Sequence, residues 1–237
     1  MNPLDLQKEI SRMRSGAGLS PAITEIKNQV KIFQNKRLES THQNLLQSEN
    51  TRPAARFFLD RLYGTGSTHK RDQQVERVIP KAQRILPSVG VEVVQQVLHM
   101  DWLAEQMDVK ISIQLNELGY KPDTKLEVDA YLEAFYAAGQ FEVRRQQVQA
   151  VSATGERLVR LMRFPMLKTM LSMTRGAAHK ANLEDFHEFL VEGVSAFKSL
   201  QSPQKFFQAI ESEEMVLLEF ISSRRFKEIP EKFFCKL

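Results

Sequence analysis

One stretch in the middle of the chain constrains the fold more than any other. From residue 93 to residue 118, apolar side chains recur mostly at steps of three and four residues. This spacing places them on one face of an α-helix. The stripe consists of Val93, Val97, Met100, Ala104, Met107, Ile111 and Leu118. Residues 109–115, VKISIQL, alternate locally like a strand, but the longer helical pattern contains them, so we predict one long helix.

The helical period continues through most of the remaining chain, and prolines divide it into separate helices. Ser20-Pro21 and Ser202-Pro203 each join an N-cap residue to a proline at the first helical position. Pro80 and Pro165 interrupt helical patterns and predict a kink or a break. No internal repeat of fixed period occurs, which argues against a solenoid. We therefore predict an all-α fold, an irregular bundle of about eight helices.

The bundle is expected to form a single domain with a short segment at each end. We assign residues 20–221 to the helical-bundle domain, residues 1–19 to an N-terminal extension and residues 222–237 to a basic C-terminal tail that we expect to be loosely attached. A chain of 237 residues with 42% hydrophobic residues can bury a sizeable core.

Several features of the sequence bear on location. The first residues, MNPLDLQKEI, lack the basic segment and apolar run of a secretory signal. No window approaches the roughly 18 consecutive apolar residues that a transmembrane helix needs. The one cysteine, Cys235, excludes an internal disulfide. We predict a cytoplasmic protein without a transmembrane segment.

Charge is distributed unevenly along the chain. Residues 144–180 contain eight Lys or Arg and one acid, whereas residues 181–221 contain eight acids and two lysines. The two segments either pair with each other in the fold or leave the basic one facing an anionic partner. The net charge of +4 and the absence of a known reading motif argue against nucleic-acid binding.

The basic segment supplies the candidate partner surface. Its cationic members are Arg157, Arg160, Arg163, Lys168 and Arg175, and they flank the methionines Met162, Met166, Met170 and Met173. Methionine adapts to irregular partners, and a basic amphipathic helix can bind a protein groove or lie on a membrane surface. Packing of the methionines into the core is the alternative to both.

Few patterns in the chain indicate catalysis. Glu184 and His187 form a Glu-x-x-His step, as do Glu39 and His42, and di-iron bundles use two such pairs. Glu39 and His42 lie among polar residues, which predicts a surface position. The ridge Asp101, Glu105 and Asp108 beside Trp102 has the composition of an acid–base pocket. We interpret it instead as the solvated edge of a helix.

The stretch FFLDRLYG, residues 57–64, resembles the FFLEELY motif that names a family of uncharacterised bacterial proteins. The match keeps Phe57, Phe58, Leu59, Leu62 and Tyr63 and differs at Asp60 and Arg61. The resemblance implies no catalytic residue and no ligand. From the spacing we expect a short, deeply packed helix, anchored by Phe58, that ends at Gly64.

These observations favour a non-enzymatic interaction or regulatory module without a cofactor. Its expected partner is another protein or a second copy of the chain. Two alternatives stay open. One is a helical enzyme or carrier with a small-molecule or metal pocket, in which Glu184 and His187 would be ligands. The other is membrane-surface association through residues 157–175.

Overall fold

The computed structural model describes residues 1–62, 69–85, 88–164 and 167–237, and within these ranges the regular structure is entirely helical. The α-helices are α1 (Pro3–Arg14), α2 (Pro21–Thr41), α3 (Gln43–Gln47), α4 (Arg52–Arg56), α5 (His69–Ile85), α6 (Ser88–Glu117), α7 (Val128–Ala138), α8 (Phe141–Met162), α9 (Leu167–Lys180), α10 (Glu184–Lys198) and α11 (Pro203–Ser222). A π-helix, Phe57–Leu62, follows α4, and two 3-10 turns, Phe226–Glu228 and Glu231–Phe233, lie near the end. The all-α prediction is confirmed.

The described residues contain eleven α-helices, more than the eight or so expected. One addition is α1, which lies in the segment predicted to be an extension; Leu6 and Ile10 bury it against α5 and α6. Another arises because the helix expected from Ser20 is divided at His42 into α2 and α3.

The long helix α6 lies at the centre of the molecule. It contacts α1, α2, α7 and α8, and residues 109–115 are helical as predicted. Because neighbours surround α6, several of its polar side chains are buried as well as its apolar stripe; they include Glu105, Asp108 and Ser112. This burial changes the interpretation of its acidic residues, described below.

In the second half of the chain, α8 packs along α11 and α10 carries α9. The most extensive helix–helix contact joins α8 to α11, at a point where Gly155 faces Phe207. Helix α10 contacts α4, α5, α8 and the π-helix, and α9 packs along α10. The α9–α10 pair therefore attaches to the bundle through α10.

The C-terminal segment is firmly packed, contrary to the loose attachment expected from its composition. Phe233 is fully buried against the cluster formed by α2, α6, α7 and α11. The backbone N–H of Lys236 donates to Ser40 Oγ over 3.0 Å, and Lys236 Nζ lies 3.1 Å from Glu39 Oε1. The aromatic residues of the tail outweigh its charge in deciding its position.

Candidate partner-binding surface

Helix α9 is the least enclosed long helix among the described residues. Among the described helices, α9 packs mainly against α10. The inner face that makes this contact includes Leu167, Met170 and Leu171. Its outer face is exposed and carries Thr169, Ser172, Met173, Gly176, Ala177 and Lys180. Met173 is 78% exposed, an unusual position for a large apolar side chain.

The five predicted cationic residues separate into different environments. Arg157 has partners within the molecule: its Nε lies 3.4 Å from Glu92 Oε2, and its Nη1 donates to Ala153 O over 3.0 Å. Arg160, Arg163 and Arg175 are exposed, and none of them makes an ion pair or a side-chain hydrogen bond with the described residues. The side chain of Lys168 lies outside the described part of the chain.

These three arginines and two exposed apolar side chains define what we call the basic surface: Arg160, Arg163, Phe164, Met173 and Arg175. Phe164, which is 40% exposed, follows Arg163 at the end of α8. Residues 157–183 contain six Lys or Arg and no acid. The three arginines therefore have no carboxylate within their own segment with which to pair.

The methionines do not form one continuous stripe. Met162 is half-buried at the end of α8, Met170 is half-buried towards α10, and Met173 points to solvent. Met166 and Pro165 lie outside the described residues. Packing along α10 accounts for Met170, whereas the position of Met173 remains consistent with partner binding.

A groove of about 300 Å³ adjoins the basic surface. Its floor is formed by Phe197 of α10, Leu200 of the loop after α10, and Phe207 of α11. Its wall comes from the end of α8, where Leu158, Val159 and Met162 are half-buried. Arg163 and Lys198 lie on the rim, and the described residues of the lining include no acid. The sequence alone does not indicate this groove, because it forms only where the end of α8 meets α10 and α11 in the fold.

The acidic segment does not neutralise these arginines within the described residues. Its carboxylates pair with other parts of the molecule: Glu214 with Arg37, Glu192 with Arg61, and Glu213 with Lys232. Glu184 pairs with His179, an exposed residue near the end of α9. Of the two arrangements that the charge pattern left open, the one with an outward-facing basic segment fits these contacts better.

The predicted acidic ridge is an internal ion cluster, so its interpretation as a solvated edge is wrong. Arg14 bonds to three carboxylates: its Nε lies 2.9 Å from Glu105, its Nη1 2.7 Å from Asp72 and its Nη2 2.6 Å from Asp101. Burial acts to raise the pKa of Glu105, but Lys31 and Arg14 hold it below its usual value. The cluster ties α1 and α2 to α5 and α6, which gives these carboxylates a structural role.

A second internal cluster contains a residue predicted to lie on the surface. His42 is buried, with its Nε2 3.3 Å from Glu214 Oε1, and Arg37 Nη1 binds the same oxygen over 2.6 Å. Burial opposes ionisation of Glu214, yet Arg37 and His42 hold its pKa well below the usual range. Glu39, the other member of the predicted pair, contacts Arg56 and Lys236.

The other predicted metal pair is also engaged in different contacts. Glu184 Oε1 lies 2.9 Å from His179 Nδ1, and His187 Nε2 lies 2.7 Å from the carbonyl oxygen of Leu171. Across the described ranges, no group of three or more His, Cys, Asp or Glu side chains is arranged to hold a metal ion.

The motif stretch is a π-helix rather than the expected α-helix. Phe57 and Leu59 are its buried members, whereas Phe58, the predicted anchor, is half-buried. Phe57 packs against Gly193 and stacks at an angle on Phe189, with ring centroids 5.1 Å apart. The side chain of Leu62, together with Tyr63 and Gly64, lies outside the described residues. The motif therefore anchors α10, on which α9 rests.

No helix in the described ranges is long and apolar enough to cross a membrane. Comparison with curated proteins and with solved structures finds no match. Comparison with protein families finds one over residues 14–227, which covers nearly the whole bundle and both the basic surface and the groove. The chain thus belongs to the family described as Domain of unknown function (DUF8198).

Proposed function

We propose that this chain is a non-enzymatic interaction module whose basic surface binds an acidic segment of another protein. The observation that carries the proposal is the set of exposed arginines, Arg160, Arg163 and Arg175, without ion partners among the described residues. The arginine fork matches the geometry of a carboxylate, and two or more such pairs at one surface also fix the orientation of a partner.

Exposed apolar side chains in the same segment support binding rather than simple solvation. Phe164 follows Arg163 directly and Met173 lies two positions before Arg175, and both side chains would lose contact with water if a partner covered them. Burial of a large apolar side chain contributes roughly 1.5 to 3 kcal/mol, which would add affinity to a charge-guided encounter.

The chemistry of α9 favours a protein over a membrane. Helices that lie on a membrane bury bulky apolar residues such as Trp, Phe and Leu. The outer face of α9 instead carries small or polar residues around Met173, including Ser172, Gly176 and Ala177. Such a face suits the close approach of another helix and offers little area to insert among lipids.

A second copy of the chain is the less suitable partner. In a symmetric contact it would present the same basic surface, and residues 157–183 contain no acid with which to oppose it. Like charges brought together at an interface disfavour association. An acidic segment of a different protein meets no such repulsion.

The test compares two double charge reversals in the full chain. Arg160→Glu with Arg163→Glu alters the basic surface, and Lys8→Glu with Lys227→Glu makes the same change in net charge at exposed residues of α1 and the C-terminal segment. Both variants should melt like the wild type by circular dichroism. The wild type and each variant are immobilised and incubated with an extract of the cells from which the protein comes. The proteins that each one recovers are quantified by mass spectrometry.

We expect one or more acidic proteins to be lost from the basic-surface variant and retained by the control. Binding of the purified partner should also weaken as salt concentration rises. Recovery of the same proteins in the same amounts by both variants would contradict the proposal. So would co-sedimentation of the wild type with anionic vesicles when no protein depends on these arginines.

Location and the finer family resemblance stay predictions. A cytoplasmic setting is expected from the sequence, and a bacterial origin is what the resemblance to the FFLEELY-motif family implies. Fractionation of the source cells, followed by immunodetection of the chain, would test the location.

A further inference from the structure

The groove beside the basic surface gives a more specific description of the partner. Its floor and wall are apolar, and its rim carries two cations, Arg163 and Lys198. A volume of about 300 Å³ is at the lower end of known ligand pockets and equals the liquid volume of about ten water molecules. It has room for one or two large side chains rather than for a folded element.

The groove is continuous with the basic surface. Met162 lies in its wall at the last residue of α8, and Arg163 belongs to both the rim and the basic surface. A segment bound by the arginines would therefore pass the groove. Binding energy in interfaces concentrates where a large side chain enters an apolar pocket surrounded by polar contacts.

We infer that the groove holds the apolar anchor of an acidic amphipathic helix in a partner protein. In such a helix, large apolar residues recur at steps of three and four, and one or two of them would contact Phe197, Leu200 and Phe207. Carboxylates on either side of the anchor would pair with Arg163 and Lys198. The inference rests on the proposed function and deepens it by naming the chemistry of the bound segment.

Charge complementarity decides between this occupant and others. Among the described residues, the lining contains two cations and no acid, so a basic helix would be repelled and a neutral apolar one would leave both cations unpaired. A cavity this open to solvent also favours a helix that covers it from outside.

The probe is a fluorescent, blocked helical peptide of about 15 residues, near the length at which isolated helices become stable. Leucine occupies positions at steps of three and four, and glutamate most of the others. Two matched peptides replace either every leucine by alanine or every glutamate by glutamine. Binding to the full chain is measured by fluorescence anisotropy.

Three variants locate the binding. Gln201→Trp places a large side chain at the exposed rim and obstructs the groove, and Arg163→Glu with Lys198→Glu reverses the charge of the rim. Arg175→Glu alters the basic surface away from the groove. The variant Lys8→Glu with Lys227→Glu is the control, and thermal melting establishes that each variant folds.

The inference predicts that the leucine–glutamate peptide binds at least about tenfold more tightly than either matched peptide, a difference of about 1.4 kcal/mol. Both groove variants should weaken its binding by a similar factor, and the control should not. If alanine replaces leucine without loss and Gln201→Trp binds normally, while Arg175→Glu weakens binding, the groove inference is wrong and the proposed function stands.

Other results overturn both proposals. Equal binding of the glutamate and glutamine peptides would remove the role of charge on which both depend. Absence of binding by the leucine–glutamate peptide would do the same. Binding of the chain to anionic vesicles in place of the peptide would assign the basic surface to lipid.

Discussion

Asp108 is a buried carboxylate whose charge is only partly compensated. Its Oδ1 accepts a hydrogen bond of 3.3 Å from Gln34 Nε2, and within the described ranges no cation lies at ion-pair distance. Burial raises the pKa of Asp108 to about 6, and the nearby charge of Glu105 adds to the effect, although Lys31 and Arg144 oppose it. Ionisation of Asp108 therefore opposes folding.

The raised pKa of Asp108 should make the stability of the fold depend on pH. Because the pKa of Asp108 is about 6 in the fold, against an ordinary value of 3.8, the folded state binds more protons between these values. Protonated Asp108 therefore makes its whole contribution to the free energy of unfolding below about pH 4. That contribution is lost as pH rises to about 6. Asp108→Asn should be more stable than the wild type at pH 8, by up to about 3 kcal/mol, and equally stable near pH 4.

Urea denaturation at the two pH values measures this difference. Asp123→Asn, at an exposed position in the loop before α7, is the matched control and should change stability little at either pH. A destabilising effect of Asp108→Asn at pH 8 would show that the ionised carboxylate is favourable in the fold.

At the scale of helices, the closest packing lies between α8 and α11. A Cβ built on Gly155 would come within 2.2 Å of Phe207 Cδ2, a distance that no real side chain tolerates. Phe207 also forms part of the groove floor, and its ring stacks on Phe197 with centroids 5.8 Å apart. The absence of a side chain at Gly155 thus leaves room for a ring that the proposed partner contacts.

Two glycine substitutions should have opposite effects. Gly155→Ala forces Phe207 to move and should lower the free energy of unfolding by about 1 to 3 kcal/mol, the usual cost of overpacking. Gly176→Ala should raise it by about 0.5 to 1 kcal/mol, because alanine favours the helix and nothing lies within 4 Å of the new Cβ. Chemical denaturation compares both with the wild type. A stabilising effect of Gly155→Ala would mean that the α8–α11 contact relaxes easily.

Helix starts and the helical period were predictable from local sequence. Ser20 Oγ accepts a hydrogen bond from the N–H of Ile23 over 3.3 Å, and α2 begins at Pro21 as expected. α11 likewise begins at Pro203. These features depend only on residues close together in the chain, so the local sequence is sufficient to predict them.

The π-helix and the burial of acidic residues depend on distant contacts. Asn35 in α2 donates to the carbonyl of Leu59 over 3.0 Å, and Gly193 admits the ring of Phe57. Neither contact can be inferred from the spacing within residues 57–62, and that spacing alone points to Phe58 as the anchor. Glu105 similarly became interior because α1 and α2 bring Arg14 and Lys31 to it.

Across the whole molecule, the described helices differ greatly in how they are enclosed. α6 is surrounded by α1, α2, α7 and α8, and its buried residues include Ile111 and Leu115. α9 rests mainly on α10 and exposes its other face. A helix with few buried contacts opens at lower free energy than the central core. The basic surface therefore lies on a part of the fold that can adapt to a partner.

Hydrogen–deuterium exchange should reveal this gradient. Amides of α9 are expected to exchange through local opening, at a free energy below that of global unfolding. Because local opening exposes little surface, this free energy should depend only weakly on low concentrations of urea. Amides in the middle of α6 should exchange only through global unfolding. α11 is the matched reference, because it also lies late in the chain but packs extensively on α8. Equal protection of α9 and α11 would contradict the expectation. Selective protection of α9 by the leucine–glutamate peptide would connect its local stability to the binding proposed for the basic surface.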